Sequence, residues 1–532
     1  MEKEEIRKLI DDGRAILGIE LGSTRIKAVL IDDRGNVLEK GEHGWENELT
    51  DGVWTYKLSD AEEGLRSCYE DLKANVMKSY GTVLRRLSAI GISAMMHGYL
   101  ILDKNGEQLA PFRTWRNTIT GREAKELTAL FGVNVPERWS IAHLYKDILE
   151  DRPYVKDIAF MTTLSGYIHL QLTGESLLGI DDASGMFPID ANTKDFDASM
   201  LSKFDAILKE RGYGFMLSDI LPKVLCAGEE AGRLTKEGAL LLDRDGDLME
   251  GCPLCPPEGD AGTGMVATDS VAPGTGNVSA GTSIFGSFVL EKPLSKVYPE
   301  LDPVMTPSGD PVAMAHCNNG TSDIDAWVGL FAELLGLSGA KVEMGELYKL
   351  LFNEAMKAEK DCGGLISYGY LAGEPVSGVT DGRPLFVRTP DSRLRLAEFM
   401  RAQLLSPLAS LRLGMDILFE NENVKLSKLM GHGGFFKTKG VGQKLLAAAA
   451  KAPVTVSSTA GEGGAFGIAV LAAYMAVKAP GESLSDFLRK RIYDGEETLT
   501  MEPCEADMEA FERYYERFKR GLSIEREAEK AI

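Results

Sequence analysis

The chain lacks an excess of basic residues. Its 532 residues include 59 lysines and arginines against 80 aspartates and glutamates, which gives a formal net charge of -21. Nucleic acids and anionic membranes are bound by basic surfaces, so this balance argues against both kinds of partner. It remains compatible with an anionic small molecule, because a local site can be positive on an acidic body.

Long apolar runs and a cysteine framework are also missing. The longest apolar stretch, Gly467–Val477, is too short to span a bilayer, and the charged start MEKEEIRKLIDDG is no secretory signal. Seven cysteines are scattered without a pairing pattern, and the lone C-x-x-C from Cys252 to Cys255 has no second ligand pair for zinc. We therefore expect reduced thiols in a cytoplasmic protein.

The chain does contain a strand–turn–strand unit over Ala15–Asp33, with Gly22-Ser23-Thr24 as its turn. Glycine permits a tight bend and a close ligand, and two hydroxyls with several backbone N–H groups suit a phosphate oxygen. Glu20 places a carboxylate at the end of the first strand, and Lys27 is the nearest cation. An ordinary hairpin with a polar tip is the alternative interpretation.

A second copy of this unit lies over Thr275–Leu290, with Gly281-Thr282-Ser283 as its turn. Internal repetition indicates the architecture of a chain, and 532 residues are too many for one domain of ordinary size. Two such hairpins, far apart in sequence, could clamp one polyphosphate from two sides.

Further glycine-rich patches accompany the hairpins in a fixed order: Gly259-Asp260-Ala261-Gly262, the turn Gly431–Gly434 and the turn Glu462–Gly467. With them the chain resembles the FGGY family of carbohydrate kinases, within the actin-like ATPase class. The resemblance implies an α/β fold of two actin-like (ribonuclease H-like) ATPase domains, each a mixed sheet flanked by helices, with the active site in the cleft between them. We place these domains at residues 1–269 and 270–532.

The resemblance also implies catalytic roles, since phosphoryl transfer needs positioning, Mg²⁺ and a base near the attacking hydroxyl. Asp260 matches the family's aspartate that accepts the sugar hydroxyl proton; capping of the helix that starts at Ala261 is the alternative. Glu20 stands where the family usually carries an aspartate that holds Mg²⁺ through water, and its extra methylene leaves the geometry open. We expect Glu20 and Asp260 at the metal, and Lys27 near the phosphates or paired with Glu20.

The Gly431–Gly434 turn resembles the adenosine-binding glycines of the family. Gly433, Gly434 and Phe435 are therefore expected beside the purine of ATP, because glycine lets the backbone lie against a flat ring. Lys437 is a further candidate for a phosphate contact, with a solvated surface lysine as the alternative.

Met96-His97-Gly98 resembles the Q-M-H-G of xylulokinases, with Met95 in place of the glutamine. A histidine at a strand end can bond sugar hydroxyls through both ring nitrogens, and a structural histidine is the alternative. Trp115-Arg116-Asn117 resembles the family's W-N-D, with Asn117 replacing an aspartate and Ile119 where an arginine is common. Met96, His97, Trp115, Asn117 and Asp260 are thus the expected sugar-binding residues, and the departures leave the exact sugar open.

The stretch from Thr173 to Glu175 and on to Asp181–Gly185 resembles the family's "LTGE…DASG". We interpret Asp181–Gly185 as a structural turn with Asx-type capping. A loop over the sugar is the alternative.

The resemblance implies ATP-dependent phosphorylation of a ketopentose, most like a xylulokinase; an L-ribulokinase-like or other FGGY sugar or polyol kinase is the close alternative. An actin- or Hsp70-like nucleotide switch would need a partner-binding module, and a sugar-sensing regulator would need a basic helix-turn-helix; the sequence shows neither. The expected partners are a small sugar and ATP, with no nucleic acid and no membrane, and a homodimer stays open.

Overall fold

The computed structural model describes residues 2–341, 343–457, 463–496 and 498–531. The strands, in chain order, are β1 (Ile16–Leu21), β2 (Arg25–Ile31), β3 (Val37–Gly44), β4 (Glu48–Thr50), β5 (Val53–Thr55), β6 (Ala89–Ala94), β7 (Leu100–Leu102), β8 (Phe160–Thr162), β9 (Leu177–Gly179), β10 (Ile189–Asp190), β11 (Asp195–Phe196), β12 (Lys223–Leu225), β13 (Glu258–Gly259), β14 (Thr275–Ala280), β15 (Ile284–Val289), β16 (Asp302–Met305), β17 (Pro311–Cys317), β18 (Leu365–Tyr368), β19 (Leu385–Arg388), β20 (Lys428–His432), β21 (Val454–Ser457) and β22 (Thr498–Met501).

The helices, in the same order, are α1 (Lys3–Asp11), α2 (Leu58–Tyr80), α3 (Gly121–Phe131), α4 (Ser140–Leu149), α5 (Leu164–Thr173), α6 (Ile180–Ser184), α7 (Ala198–Glu210), α8 (Leu217–Ile220), α9 (Lys236–Leu242), α10 (Asp260–Val266), α11 (Ser322–Leu337), α12 (Met344–Ala355), α13 (Leu396–Asp416), α14 (Val441–Ala450), α15 (Gly463–Val477), α16 (Leu484–Phe487) and α17 (Glu505–Ala531). None of these helices, in the part of the chain described, is both long and apolar enough to cross a bilayer.

Two large sheets share one five-strand pattern. The first sheet has the order β13-β6-β1-β2-β3, and the second contains β21-β20-β14-β15-β17 in the same arrangement, with β16 and β22 added at its edges. In both, the hairpin strands are antiparallel and the next two neighbours are parallel to the first hairpin strand. The repeat seen in the two hairpins therefore extends to five strands, and the predicted fold class, mixed sheets flanked by helices, is confirmed.

The first sheet is covered on both faces. Along β1, Leu17, Ile19 and Leu21 belong to the core that includes α2, whereas Ile16 belongs to the core that includes α15. This alternation follows from the period of two in a strand. On the α2 side, the thiol of Cys68 lies 3.4 Å from the carbonyl oxygen of Gly41.

Helix α15 packs closely on the other face through glycines. A methyl group at Gly18 would overlap the α15 backbone, and one at Gly467 would overlap the carbonyl of Thr263 in α10. At Gly91 the added carbon would stand 2.6 Å from the carbonyl oxygen of Ile468. A helix from the C-terminal half of the sequence thus completes the first sheet's core. The predicted boundary near Asp269 stays a prediction.

Helices α13 and α14 pack on the second sheet, and α17 packs in turn on α14. The spacing of four aromatic residues in the C-terminal helix predicts that they share one packing face. All four, Phe511, Tyr514, Tyr515 and Phe518, are buried in this core. Trp327 is partly buried and packs edge-on against Phe399 at the border of this core, with ring centroids 4.9 Å apart.

Backbone and side-chain contacts join the two halves beside β16. Asn134 donates to the Leu301 carbonyl at 3.0 Å, and Arg138 forms an ion pair with Asp302. The Met305 N–H donates to the Ser184 hydroxyl at 3.0 Å. Since Ser184 ends α6, the second sheet contacts the same short helix that borders the site described below.

We expect Gly467→Ala to destabilise the protein by about 1–3 kcal/mol, because the new methyl must separate α15 from α10. Gly264→Ala is the matched control: it lies on α10 with open space around the added methyl, so helix propensity should make it neutral or stabilising by up to about 1 kcal/mol. Urea unfolding of both variants measures the difference. Equal stabilities would contradict the close packing of the two helices.

Candidate active site

The chemistry-bearing residues of the first sheet meet at the carboxyl ends of its parallel strands. Glu20 lies near the end of β1, Met96 and His97 follow β6, and Asp260 follows β13. Because β1, β6 and β13 run parallel, their carboxyl ends share one edge, which is where open α/β sheets bind ligands.

Asp260 is held by a neighbouring strand end. The Met96 N–H donates to Asp260 Oδ1 at 2.9 Å, and burial raises the pKa of Asp260 despite this bond. Asp260 is not the helix cap: Gly259 occupies the cap position, and the N–H groups of Gly259 and Gly262 donate to Asp181 Oδ2 at 3.1 and 3.2 Å. Asp181 therefore accepts N–H groups at the start of α10, and the assignment of Asp260 as the base stays a prediction.

A cluster of buried carboxyl groups lies behind Asp260. Burial raises the pKa values of Asp181 and Glu258 well above their usual range, helped by repulsion from Asp182 on Asp181 and from Asp181 on Glu258. Burial also raises the pKa of Asp182 to about 7, although Thr163 and Ser165 donate hydrogen bonds to it. The predicted Asx-type turn is thus a short helix, α6, whose first acid caps α10.

Glu20 reaches from β1 to the start of α15. Its Oε2 accepts from the Ala465 N–H at 3.3 Å, and a methyl group at Gly464 would stand 2.5 Å from Oε1. Burial and the charge of Asp260 raise the pKa of Glu20 to about 7, while Lys27, its register partner on β2, acts in the opposite direction. Glu20 and Asp260 therefore interact, as residues of one site should.

His97 is held in a strained conformation. Its φ is +66°, in the left-handed region that non-glycine residues seldom adopt. The ring is buried, its Nδ1 lies 3.3 Å from the Gly185 carbonyl oxygen, and burial with nearby Arg138 lowers the pKa of His97 well below its usual value. A neutral ring that donates from Nδ1 keeps Nε2 as an acceptor.

Trp115 and Asn117 differ in their surroundings. Trp115 is 37% exposed. Asn117 is buried and bound to the backbone of Trp54: its Nδ2 donates to the Trp54 carbonyl at 2.8 Å, and its Oδ1 accepts from the Trp54 N–H at 2.9 Å. Arg116 stacks over the Trp54 ring at 4.0 Å. Sugar binding by Trp115 and Asn117 stays a prediction.

The second sheet presents a parallel arrangement. Gly281-Thr282-Ser283 follows β14, and Gly433 follows β20, the strand parallel to it. Gly433 has a φ of +100°, and a side chain there would overlap the carbonyl of Ala280. Glycine is thus required for the turn to lie against the hairpin.

A pocket of about 790 Å³ opens between this turn and α12. Gly434, Phe435 and Lys437 line one side, and Tyr348 and Phe352 line the other. Phe435 itself is only 1% exposed and packs edge-on against Phe352, so most of its ring belongs to the core. Of the predicted turn Glu462–Gly467, Glu462 lies outside the described residues, and the rest is not a turn but the beginning of α15.

Models of the N-terminal and C-terminal domains of the FGGY family of carbohydrate kinases match residues 15–260 and 276–476. The chain belongs to this family. It is therefore a carbohydrate kinase, and phosphoryl transfer to a carbohydrate from a nucleotide is what its family membership implies.

Individual relatives of this kinase agree on the fold. It is 23% identical over 453 residues to the xylulose kinase of Haemophilus influenzae, which covers 82% of this chain and 84% of that protein. The xylulose kinase of Rhodospirillum rubrum superimposes with a TM-score of 0.77 at 18% identity, over 96% and 99% of the two chains. The gluconate kinase of Lactobacillus acidophilus gives the same score and identity, over 96% and 98%.

Sequence reasoning missed several residues that shape the site of this kinase. Asp181 and Glu258 lie in patterns that a single chain does not distinguish from turns. Trp45 and Tyr56, which contact the first hairpin, carry no motif of their own. A signal existed only for Asp181, in the match to the family's "DASG".

We expect Glu20→Gln to make the kinase more stable than wild type at pH 8 and not at pH 4.5. The unfolded Glu20 carboxyl loses its proton near pH 4.5, and the folded one keeps it to about pH 7. The contribution of the protonated Glu20 carboxyl to the free energy of unfolding is therefore fully present below pH 4.5 and is lost as the pH rises to about 7. The Tm advantage of the variant should grow over this range to about 2–4 °C. A pH-independent Tm difference would contradict the raised pKa.

Proposed function

We propose that this kinase phosphorylates a ketopentose, a D-xylulose-like sugar, with ATP as the phosphoryl donor. The observation that carries the proposal is the position of Asp260: its carboxylate is fixed by the Met96 N–H at a strand end, beside Glu20 and His97, while another acid caps its helix. Met96-His97-Gly98 and the xylulose kinase of Haemophilus influenzae among the relatives support the proposed sugar class.

Asp260 acts as the general base in this proposal. One oxygen stays bonded to the Met96 N–H, and the other accepts the proton of the attacking sugar hydroxyl. Burial raises the pKa of Asp260, which makes the carboxylate a stronger base than an exposed aspartate. His97 orients the sugar, with Nε2 accepting from a hydroxyl while Nδ1 is held by Gly185.

Glu20 and Asp260 fit a magnesium ion that is shared with the phosphates. Mg²⁺ is usually bound by one or two carboxylates together with substrate phosphates and water. The described residues contain no group of three or more histidine, cysteine or acidic side chains arranged for a metal, so a site of this sparse kind is what the donors allow. When bound, Mg²⁺ neutralises charge on the transferring phosphoryl group.

The two hairpins hold the polyphosphate, and the pocket beside Gly434 holds the adenosine. Gly22-Ser23-Thr24 and Gly281-Thr282-Ser283 contribute backbone N–H groups and hydroxyls, and a methyl group at Gly281 would meet no atom within 4 Å. Lys27 and Lys437 add positive charge near the phosphates. A cleft that excludes water protects ATP from hydrolysis.

An L-ribulokinase-like or another sugar or polyol kinase is the second candidate, because Met95, Asn117 and Ile119 differ from the xylulokinase pattern. A coupled ADP-release assay over ketopentoses, ketohexoses, gluconate and polyols should give the highest kcat/KM with D-xylulose. A higher kcat/KM with gluconate or a polyol would overturn the ketopentose assignment.

We expect Asp260→Asn to keep the fold and the binding of ATP and sugar, and to lower kcat by about 10²- to 10⁴-fold, because an amide accepts no proton. Asp197→Asn is the matched control. Asp197 caps α7 through a 2.9 Å bond from the Met200 N–H, and asparagine caps equally well. Its kcat should match wild type. Retention of more than about a tenth of kcat in Asp260→Asn would move the base elsewhere.

A further inference from the structure

The three carbonyl groups at the tip of the first hairpin are all bound from behind. The Gly22 carbonyl accepts from the Trp45 indole N–H at 2.7 Å, and the Ser23 carbonyl accepts from the Tyr56 hydroxyl at 2.7 Å. The Thr24 carbonyl accepts from the Trp45 backbone N–H at 3.2 Å. Two side chains and one backbone N–H group outside the hairpin thus fix the directions of these three peptides.

Trp45 and Tyr56 form one unit. Their rings stack with centroids 4.2 Å apart, and they are only 8% and 3% exposed. Trp45 follows β3 and Tyr56 follows β5, so the unit is anchored in regular structure on both sides. A stacked, buried pair has little freedom, and its two donors keep fixed directions.

The carbonyl groups at the tip of the second hairpin are also hydrogen-bonded, and here each accepts from a backbone N–H group. The Gly281 carbonyl accepts from the Thr321 N–H at 2.7 Å, and the Thr282 carbonyl accepts from the Gly320 N–H at 2.9 Å. The Ser283 carbonyl accepts from the Gly281 N–H at 2.9 Å within the turn. All three tip carbonyls are again engaged.

Glu374 holds the loop that supplies these donors. Its side chain is fully buried, and its two oxygens accept from the backbone N–H groups of Asn318 and Asn319 at 3.3 and 3.1 Å. Asn319 adds a side-chain bond to the same carboxylate at 3.0 Å. Four successive N–H groups, from residue 318 to 321, are therefore divided between Glu374 and the hairpin.

The direction of these carbonyls matters for an anionic ligand. A glycine-containing turn can rotate a peptide at low cost, and a rotated peptide would turn a carbonyl oxygen, instead of an N–H, towards a phosphate. We propose that Trp45, Tyr56 and Glu374 are positioning residues that hold the tip carbonyls of both hairpins away from the nucleotide, so that N–H groups and hydroxyls face its phosphates. This inference rests on the proposed function, which assigns the hairpins to ATP.

Tyr56→Phe tests the first hairpin. It removes the hydroxyl that binds the Ser23 carbonyl and keeps the ring stacked on Trp45. Isothermal titration without sugar should show ATP and ADP bound about three- to tenfold more weakly, the size of one net hydrogen bond. Adenosine, which has no phosphate, should bind as to wild type.

Tyr80→Phe is the matched control. The Tyr80 hydroxyl donates to the Leu38 carbonyl at 2.5 Å on β3 of the same sheet, away from the hairpin tip. It loses one hydroxyl–carbonyl bond of the same kind, so its loss of Tm should resemble that of Tyr56→Phe. Its affinity for ATP should equal that of wild type.

Glu374→Gln tests the second hairpin. The two carboxylate oxygens of Glu374 accept hydrogen bonds from two backbone N–H groups, and glutamine would place an NH₂ donor against one of these N–H groups. Glu525→Gln is its control: Glu525 is also buried, and it accepts from the Arg383 N–H at 2.6 Å, a group outside the loop of residues 318–321. We expect Glu374→Gln to weaken ATP and ADP by about threefold or more, with the KM for sugar unchanged.

Wild-type affinity for ATP in both Tyr56→Phe and Glu374→Gln would overturn the inference, as would an equal loss of adenosine binding. The measurement does not depend on turnover. If no sugar were phosphorylated, the proposed function would fail, while a loss of ATP affinity confined to these two variants and absent from their controls would still support the positioning role.

Discussion

Close packing of α15 on the first sheet is the constraint on which the site depends. Glycines at 18, 91 and 467 remove the side chains that would keep this helix at an ordinary distance. Because the helix lies so near, its first N–H groups reach the carboxylate of Glu20, and α10 is pressed against β6 with Asp260 at its start. Glu20 and Asp260 therefore owe their positions to the glycines that let α15 pack closely on the first sheet and on α10.

The charges of the site are placed at some cost in stability. Asp181, Asp182 and Glu258 are buried with raised pKa values, and each keeps one oxygen without a partner among the described residues. A buried acid without full hydrogen bonding is unfavourable. Asp181 offsets part of this by accepting from the N–H groups of Gly259 and Gly262 at the start of α10.

Local sequence patterns predict the secondary-structure elements near the site, but they do not predict hydrogen bonds between residues far apart in the chain. Both hairpins, Glu20 at the end of β1 and the aromatic stripe of α17 could be predicted because each is a contiguous pattern of spacing or glycine. Asp260 could be singled out only through the resemblance to the family. The bonds of Asn117 to Trp54 and of Glu374 to Asn319 join residues 63 and 55 positions apart through backbone groups, which every residue has. Phe435 shows the same limit: its neighbour Gly434 indicates the turn, but only packing decides that its ring is buried.

The placement of α15 also sets an order in which the chain can become complete during synthesis. The first sheet ends its strands at Gly259, and roughly 200 residues separate it from the helix that covers Ile16, Val29 and Ile31. At about 5–20 residues per second, a ribosome takes about 10–40 s to make that stretch. During this time the α15 face of the first sheet is exposed in the nascent chain. The N-terminal half can therefore complete its core only after α15 has been synthesised, and until then another molecule would have to cover this apolar face.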